Sequence, residues 1–182
     1  MVVLSRLRQT NKGRWQYLNV FAIDPGNEYS AWCVMNDKYE LLDFDKQLNN
    51  NVMNIMLKTL PTIDAVAIER VASYGMPVGR EVFETCEWIG RFAQEAEKET
   101  NVSYIYRKDE KLYLCGEMRA KDANIRAALI ERFAKHDLKN GRGTKSNPDF
   151  FYGVKADIWA AISVCVTYLD MQKEKQHERN KV

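Results

Sequence analysis

From Leu18 to Ile23 the chain is a run of strand-forming residues that stops abruptly at Asp24-Pro25-Gly26. Proline presets φ for a turn and glycine accepts positive φ, so a buried strand must end here and the chain must reverse. A carboxylate is thereby fixed at a strand end. Taken singly, Asp24 reads equally as a turn residue that binds its own backbone amides. A second run, Ile63-Asp64-Ala65-Val66-Ala67-Ile68, leads straight into Glu69. Between the two lies Leu48 to Leu60, with apolar residues at Leu48, Val52, Ile55, Met56 and Leu60, the spacing of one helical face, closed by Pro61. A strand reached through a helix can lie parallel to its predecessor, which brings both outgoing ends to one sheet edge.

The rest of the chain fills in around that pair. Tyr29 to Met35 and Tyr39 to Phe44 read as two further strands on short links, hence an antiparallel meander with the first. Arg80 to about Lys98 reads as a helix with Val82, Cys86, Ile89 and Ala93 on one side and Phe83, Trp88 and Phe92 spreading apolar surface further. Val102 to Tyr106 is a fifth strand, followed by a charged connection. A helix from Asp122 to Ala134 has Asp122 as its expected N-cap, and a last helix from Lys155 to about Met171 carries Asp157 in its first turn. The expected fold is α/β: a five-stranded mixed sheet, strands 1–3 antiparallel, strands 4 and 5 parallel to strand 1, flanked by helices.

Length sets one domain: 182 residues suffice for a single core. The division expected is a basic arm over 1–16, the folded domain over 17–172 and a charged tail over 173–182. No apolar run approaches membrane-spanning length and the charged amino terminus is unlike a secretory signal, so the expected location is the cytoplasm, with no membrane partner. Cys33, Cys86, Cys115 and Cys165 are scattered, with no Cys-x-x-Cys pair, and read as buried free thiols rather than zinc ligands. The net charge of +2 names no partner, but basic residues gather near 6–14, 107–121, 139–145 and 173–181. Such loops, Arg142 and Lys145 among them, can track phosphates or simply face water.

Three acids share a placement: Asp24 ends strand one, Glu69 ends strand four, and Asp157 opens the final helix. Glu69 alone reads equally as an ion-pair partner of Arg70, and Asp157 as a complement to the helix dipole. Together they favour a cation site, because clustered carboxylates repel unless neutralised. Hard oxygen ligands without His or Cys point to Mg2+, with Mn2+ as a substitute. A pair of such ions about 4 Å apart can drive phosphodiester hydrolysis.

Ala-Ile-Asp-Pro-Gly at 22–26, Val-Ala-Ile-Glu at 66–69 and Lys-Ala-Asp-Ile-Trp-Ala-Ala at 155–161 resemble, in order and spacing, the RuvC-type Holliday junction resolvases in the form carried by bacteriophages. The resemblance runs from about Leu18 to Leu169. It implies a ribonuclease H-like fold, a homodimer, two Mg2+ ions per site, and paired nicks across a four-way DNA junction, in the host cell for a phage protein. Asp24, Glu69 and Asp157 match three of that family's four metal-binding acids. Where the family has an acid or histidine one turn before its last aspartate, this chain has Val154, and Asp149 is the candidate to substitute. The family's base-stacking aromatic falls nearest Tyr74, since the third residue beyond Glu69 is Ala72. Its lysines near the helix after strand five correspond in position to Lys121, with Lys111 and Arg119 beside it. Its dimer helix corresponds to the helix carrying Phe83, Trp88 and Phe92. Two other readings stand beside this one. One is a branched-DNA-binding module without effective catalysis. The other is a nucleotide-phosphate-binding protein of the actin and sugar-kinase superfamily, which this short chain without glycine-rich phosphate loops fits poorly.

Overall fold

A computed structural model describes residues 8–9, 15–16, 18–73, 75 and 77–180. Most of the basic arm, Tyr74 and Met76 therefore lie outside the described residues. In the arm, Arg8–Gln9 pairs antiparallel with Trp15–Gln16. The main sheet comprises β1 (Asn19–Asp24), β2 (Tyr29–Asn36), β3 (Leu41–Leu48), β4 (Ala65–Arg70) and β5 (Asn101–Tyr106), in the spatial order β3-β2-β1-β4-β5. β1, β4 and β5 run parallel, and β2 and β3 extend the sheet antiparallel. This is the five-stranded mixed sheet expected. Around it lie α1 (Asn49–Thr59), α2 (Arg80–Ala96), α3 (Arg107–Cys115), α4 (Asp122–Phe133) and α5 (Ile158–Arg179).

β1 is apolar throughout from Val20 to Ile23, and β4 from Ala65 to Ile68, because both faces of the sheet are covered. Successive side chains of a strand point to opposite faces. Phe21, Ile23, Val66 and Ile68 accordingly pack with Val52 and Met56 of α1 and Ile89 and Phe92 of α2. Val20, Ala22, Ala65 and Ala67 pack with Ile158, Ala161, Ile162 and Cys165 of α5 and with Leu129 of α4. Residues on the α5 side are small, so α5 lies close: the Cys33 thiol reaches the Ala161 carbonyl at 3.4 Å. The same alternation puts Asp24 and Glu69, two residues beyond Ala22 and Ala67, on the α5 face.

Several elements differ from the sequence expectation. β3 runs on to Leu48 instead of ending at Phe44; its last residues, Asp45, Lys46 and Gln47, belong to a sheet edge, where polar side chains are tolerated. The charged connection after β5 is a helix, α3, whose first turn is closed by Asp109 accepting the Tyr106 amide at 3.1 Å and whose end is set by Gly116 in the left-handed region. Asp122 is the first residue of α4 and not its N-cap; Lys121 holds that position, and its amide donates to Asn124 Oδ1 at 2.8 Å. α5 starts at Ile158 and continues to Arg179, so the tail expected from residue 173 extends the helix. Cys86 is exposed, and Cys115 is only partly covered, while Cys33 and Cys165 are buried as free thiols.

On α2 the inward face is Ile89, Phe92, Ala93 and Ala96. Phe92 is fully buried within the chain, which removes it from the expected dimer surface; emptying that space with alanine costs about 3–5 kcal/mol. Phe83, 59% exposed, does face outward, next to exposed Cys86 and Gly90. Trp88 is half-covered, packed against Phe92 with Arg91 over its ring.

Candidate active site

The pairing of β1 with β4 is in register from Val20↔Ala65 to Ile23↔Ile68, so Asp24 and Glu69 follow as neighbours at one end of the sheet. The two carboxyl groups lie within hydrogen-bonding reach of each other. Burial, then the Glu69 charge and that contact, hold the Asp24 carboxyl well above the usual carboxylate range. Glu69 is raised as well, by burial, against the pull of the Arg107 guanidinium.

The turn that carries Asp24 is fastened by three buried or half-buried groups. Gly26 N–H donates to Ser30 Oγ at 3.3 Å, Ser30 O–H to Asn49 Oδ1 at 2.6 Å, and Asn49 Nδ2 to the Gly26 carbonyl at 2.9 Å. A Cβ at Gly26 would lie 2.3 Å from the Tyr29 carbonyl oxygen, so no other residue fits. Ser30 and Asn49 were not singled out from sequence, where a serine in a strand and an asparagine at a helix start look ordinary.

Asp157 comes from the opposite layer. It immediately precedes α5 and follows Ala156, whose φ of 45° places a non-glycine residue in the left-handed region. Such a conformation is disfavoured and persists only where surrounding structure holds it. Asp157 is ion-paired with Lys46 of β3 across the site and adds to the charge felt by Asp24. Its side chain is 52% exposed, the most open of these acids.

The structure adds two residues that sequence reading passed over. Arg107 begins α3 and binds Glu110 at 2.7 Å and Asp122 at 2.7 Å. Glu110, one turn on, is fully buried, and burial followed by the Glu69 charge pushes its carboxyl up to about 8. Ser163 of α5 contacts Glu110 Oε2 through its hydroxyl. Both were hidden because residues 107–115, rich in charge, gave no apolar periodicity; the signal present was Tyr106-x-x-Asp109 ahead of Gly116. Beside these residues a cleft of about 330 Å3 opens, lined by Arg107, Asp122, Arg126, Asp157, Trp159 and Ser163. Arg126 lies over the Trp159 indole at 4.6 Å.

The remaining expected residues are placed elsewhere. Asp149 sits in the loop between α4 and α5, and its two oxygens accept the amides of Lys135, His136, Asp137 and Phe150 at 2.7–3.1 Å. Its carboxyl is engaged as a loop staple. Val154 is 1% exposed, inside the apolar core. Lys111 is on α3, half-covered; Arg119 and Lys121 are exposed ahead of α4; Arg142 is half-buried and Lys145 exposed in the loop that Asp149 organises.

Among the described residues no three His, Cys, Asp or Glu side chains already converge at metal-ligand spacing. What is assembled is a closely spaced pair, Asp24 and Glu69, with Asp157 and Glu110 near enough for their charges to act on Asp24. This donor set fits a hard divalent cation: all oxygens, more acids than the two facing cations Lys46 and Arg107, and carboxyls whose charged form is disfavoured by burial.

A five-stranded mixed sheet of this order, flanked by helices, is a ribonuclease H-like α/β fold. Within that class the fold is that of RuvC. A Thermus thermophilus RuvC structure superimposes with a TM-score of 0.58 at 17% identity, covering 86% of this chain and 97% of that one. T. thermophilus RuvC in complex with a Holliday junction substrate matches with a TM-score of 0.57 at 16% identity, over 83% and 92% of the two chains. No family model matches the sequence, and no curated protein does.

Proposed function

We propose that this protein is a divalent-metal-dependent endonuclease that hydrolyses phosphodiester bonds in branched DNA, the four-way junction foremost. The observation that carries the reading is the placing of Asp24 and Glu69 side by side at one end of the sheet, with Asp157 near enough at the head of α5 for its charge to act on Asp24. The solved RuvC complex with a Holliday junction substrate supports the choice of DNA.

Asp24, Glu69 and Asp157 would hold Mg2+ or Mn2+. Bound there, such ions stabilise charge on a transferring phosphate and make water a competent nucleophile at neutral pH. The chain's own part is arrangement. The Ser30–Asn49 clamp keeps the Asp24 carboxyl aimed at Glu69, and the β1–β4 register sets their separation. Arg107 is 28% exposed at the cleft wall and offers a guanidinium to a phosphate oxygen. Lys111, Arg119 and Lys121 extend that positive charge along α3 and toward α4, and the loop carrying Arg142 and Lys145 adds a second basic edge for DNA arms. Tyr74, in the segment after Glu69, is the proposed base-stacking residue. Two copies would pair through the outward face of α2 around Phe83, placing two sites on one junction.

Val154 favours a second reading: a wholly apolar residue where a fourth ligand is expected leaves a protein that binds junctions and cuts them poorly. One experiment separates the two. A fixed four-way junction is incubated with the purified protein beside matched flap, fork and duplex DNAs, in Mg2+ and in chelator. Symmetric nicks on the junction only with Mg2+ support the nuclease. Tight junction binding without nicks supports the binding module.

A further inference from the structure

Glu110 has no place in the scheme drawn from sequence, and its surroundings are unusual. It is fully buried. Arg107 at 2.7 Å and the Ser163 hydroxyl both contact Oε2. Oε1 has no hydrogen-bond partner at all. A buried carboxylate oxygen left bare costs free energy that the fold must recover elsewhere, and native structures keep few such atoms. Loading both partners on one oxygen fixes the carboxylate plane and leaves the other oxygen free. The residue is also close enough to Glu69 and Asp24 to repel both.

Meanwhile the position where α5 should contribute is closed. Val154 offers no donor, and Asp149 spends its oxygens on backbone amides. Ahead of α5 the site thus has Asp157 but no second oxygen, and it has a surplus one on α3. We propose that Glu110, reached from α3, supplies the fourth oxygen ligand of the divalent-cation site, with Arg107 and Ser163 as the residues that orient it. This rests on reading Asp24, Glu69 and Asp157 as a metal site. Arg107 is the cation that accompanies Glu110 meanwhile, and Asp122 gives it a second anchor at 2.7 Å.

The test uses full-length protein stripped with chelator and titrated with Mn2+ alone, followed by calorimetry and by the electron paramagnetic resonance of free Mn2+. The wild type should take up two ions. Glu110→Gln, which keeps size and a hydrogen bond to Ser163, should lose the second or bind it at least about tenfold more weakly, in line with losses at metal sites whose ligands are disturbed. Its metal-free melting temperature should stay close to that of the wild type, because the amide keeps the size of the carboxyl and its contact with Ser163. In the wild type, substoichiometric Mn2+ should broaden the amide resonances of Glu110 and Arg107 as strongly as that of Glu69, a measurement that does not depend on any variant folding. Mn2+ uptake by Glu110→Gln equal to wild type, with the Glu110 resonance unaffected, overturns the role of Glu110 and leaves the three-acid site standing. No Mn2+ uptake by the wild type overturns both.

Discussion

Two regions of this molecule gather acids and treat them in opposite ways. In the loop between α4 and α5, Asp137 accepts the amides of Asn140, Gly143 and Arg142, and Asp149 accepts four more. Those donors lower the Asp137 carboxyl and hold that of Asp149 well below its usual range, in both cases against burial. At the end of the sheet and beside it, Asp24, Glu69 and Glu110 are each raised by burial, and Asp24 and Glu110 also by the charge of Glu69. The loop acids are satisfied by their own chain and are finished structure. The sheet-end acids are left short of positive charge, which is the condition of a site built for a ligand that carries it.

Removing a sheet-end acid should therefore cost function and spare stability. Asp24→Asn should abolish metal-dependent nicking of a four-way junction to the level seen with chelator, while junction binding in a gel-shift assay stays within a few-fold of wild type and the melting temperature holds or rises. Nicking at the wild-type rate by Asp24→Asn would break the comparison at its root. Asp149→Asn is the converse: an amide nitrogen now meets backbone N–H donors, so the melting temperature should fall by several degrees, with Mn2+ affinity unchanged.

The two regions also predict opposite pH slopes. Glu110, its carboxyl pushed up to about 8, keeps protons in the native chain that the unfolded chain loses near the ordinary 4.5, and Asp24 and Glu69 are shifted in the same direction. Unfolding releases those protons, so metal-free stability should decline as pH rises from about 4.5 to about 8. For Asp149 and Asp137 the sign reverses: their contribution is present above the ordinary 3.8 and is lost as pH falls below it. Melting temperatures across pH 3 to 9 should rise and then decline, and Mg2+ should flatten only the upper limb. A decline that persists with saturating Mg2+ would detach the raised carboxyls from any metal site.

How far the sequence could be read follows the same division. Asp24 and Glu69 were legible because each ends an apolar run, and a strand buried on both faces announces itself without any contact information. Asp157 was legible through its motif and its place ahead of an Ala- and Ile-rich helix. Glu110 was not, since its neighbours are charged and its burial arises only when α3 folds back against α5. Asp149 misled for the complementary reason: local backbone donors, which no spacing rule reveals, had already claimed it. Phe92 looked like surface because α2 is apolar more than halfway round, and only the packing against β4 shows which part of that surface turns inward.

The smallest effect concerns Lys46, which bridges the two treatments by pairing with Asp157 from the sheet edge. With side chains 36% and 52% exposed, the pair contributes about 0–1 kcal/mol to stability after screening by water. Lys46→Met should shift the melting temperature by no more than about 2–4 °C. Its effect on the site should run the other way. The ammonium neutralises the one sheet-end acid that is open to solvent, so it competes with an incoming cation for the same oxygens. Removing it should tighten Mn2+ binding a few-fold in the calorimetric titration while weakening DNA binding slightly through the loss of one positive charge. Weaker Mn2+ binding by Lys46→Met would mean that the lysine positions Asp157 for the cation instead of standing in for it, and Asp157 would then join Asp149 as an acid whose place depends on its own chain.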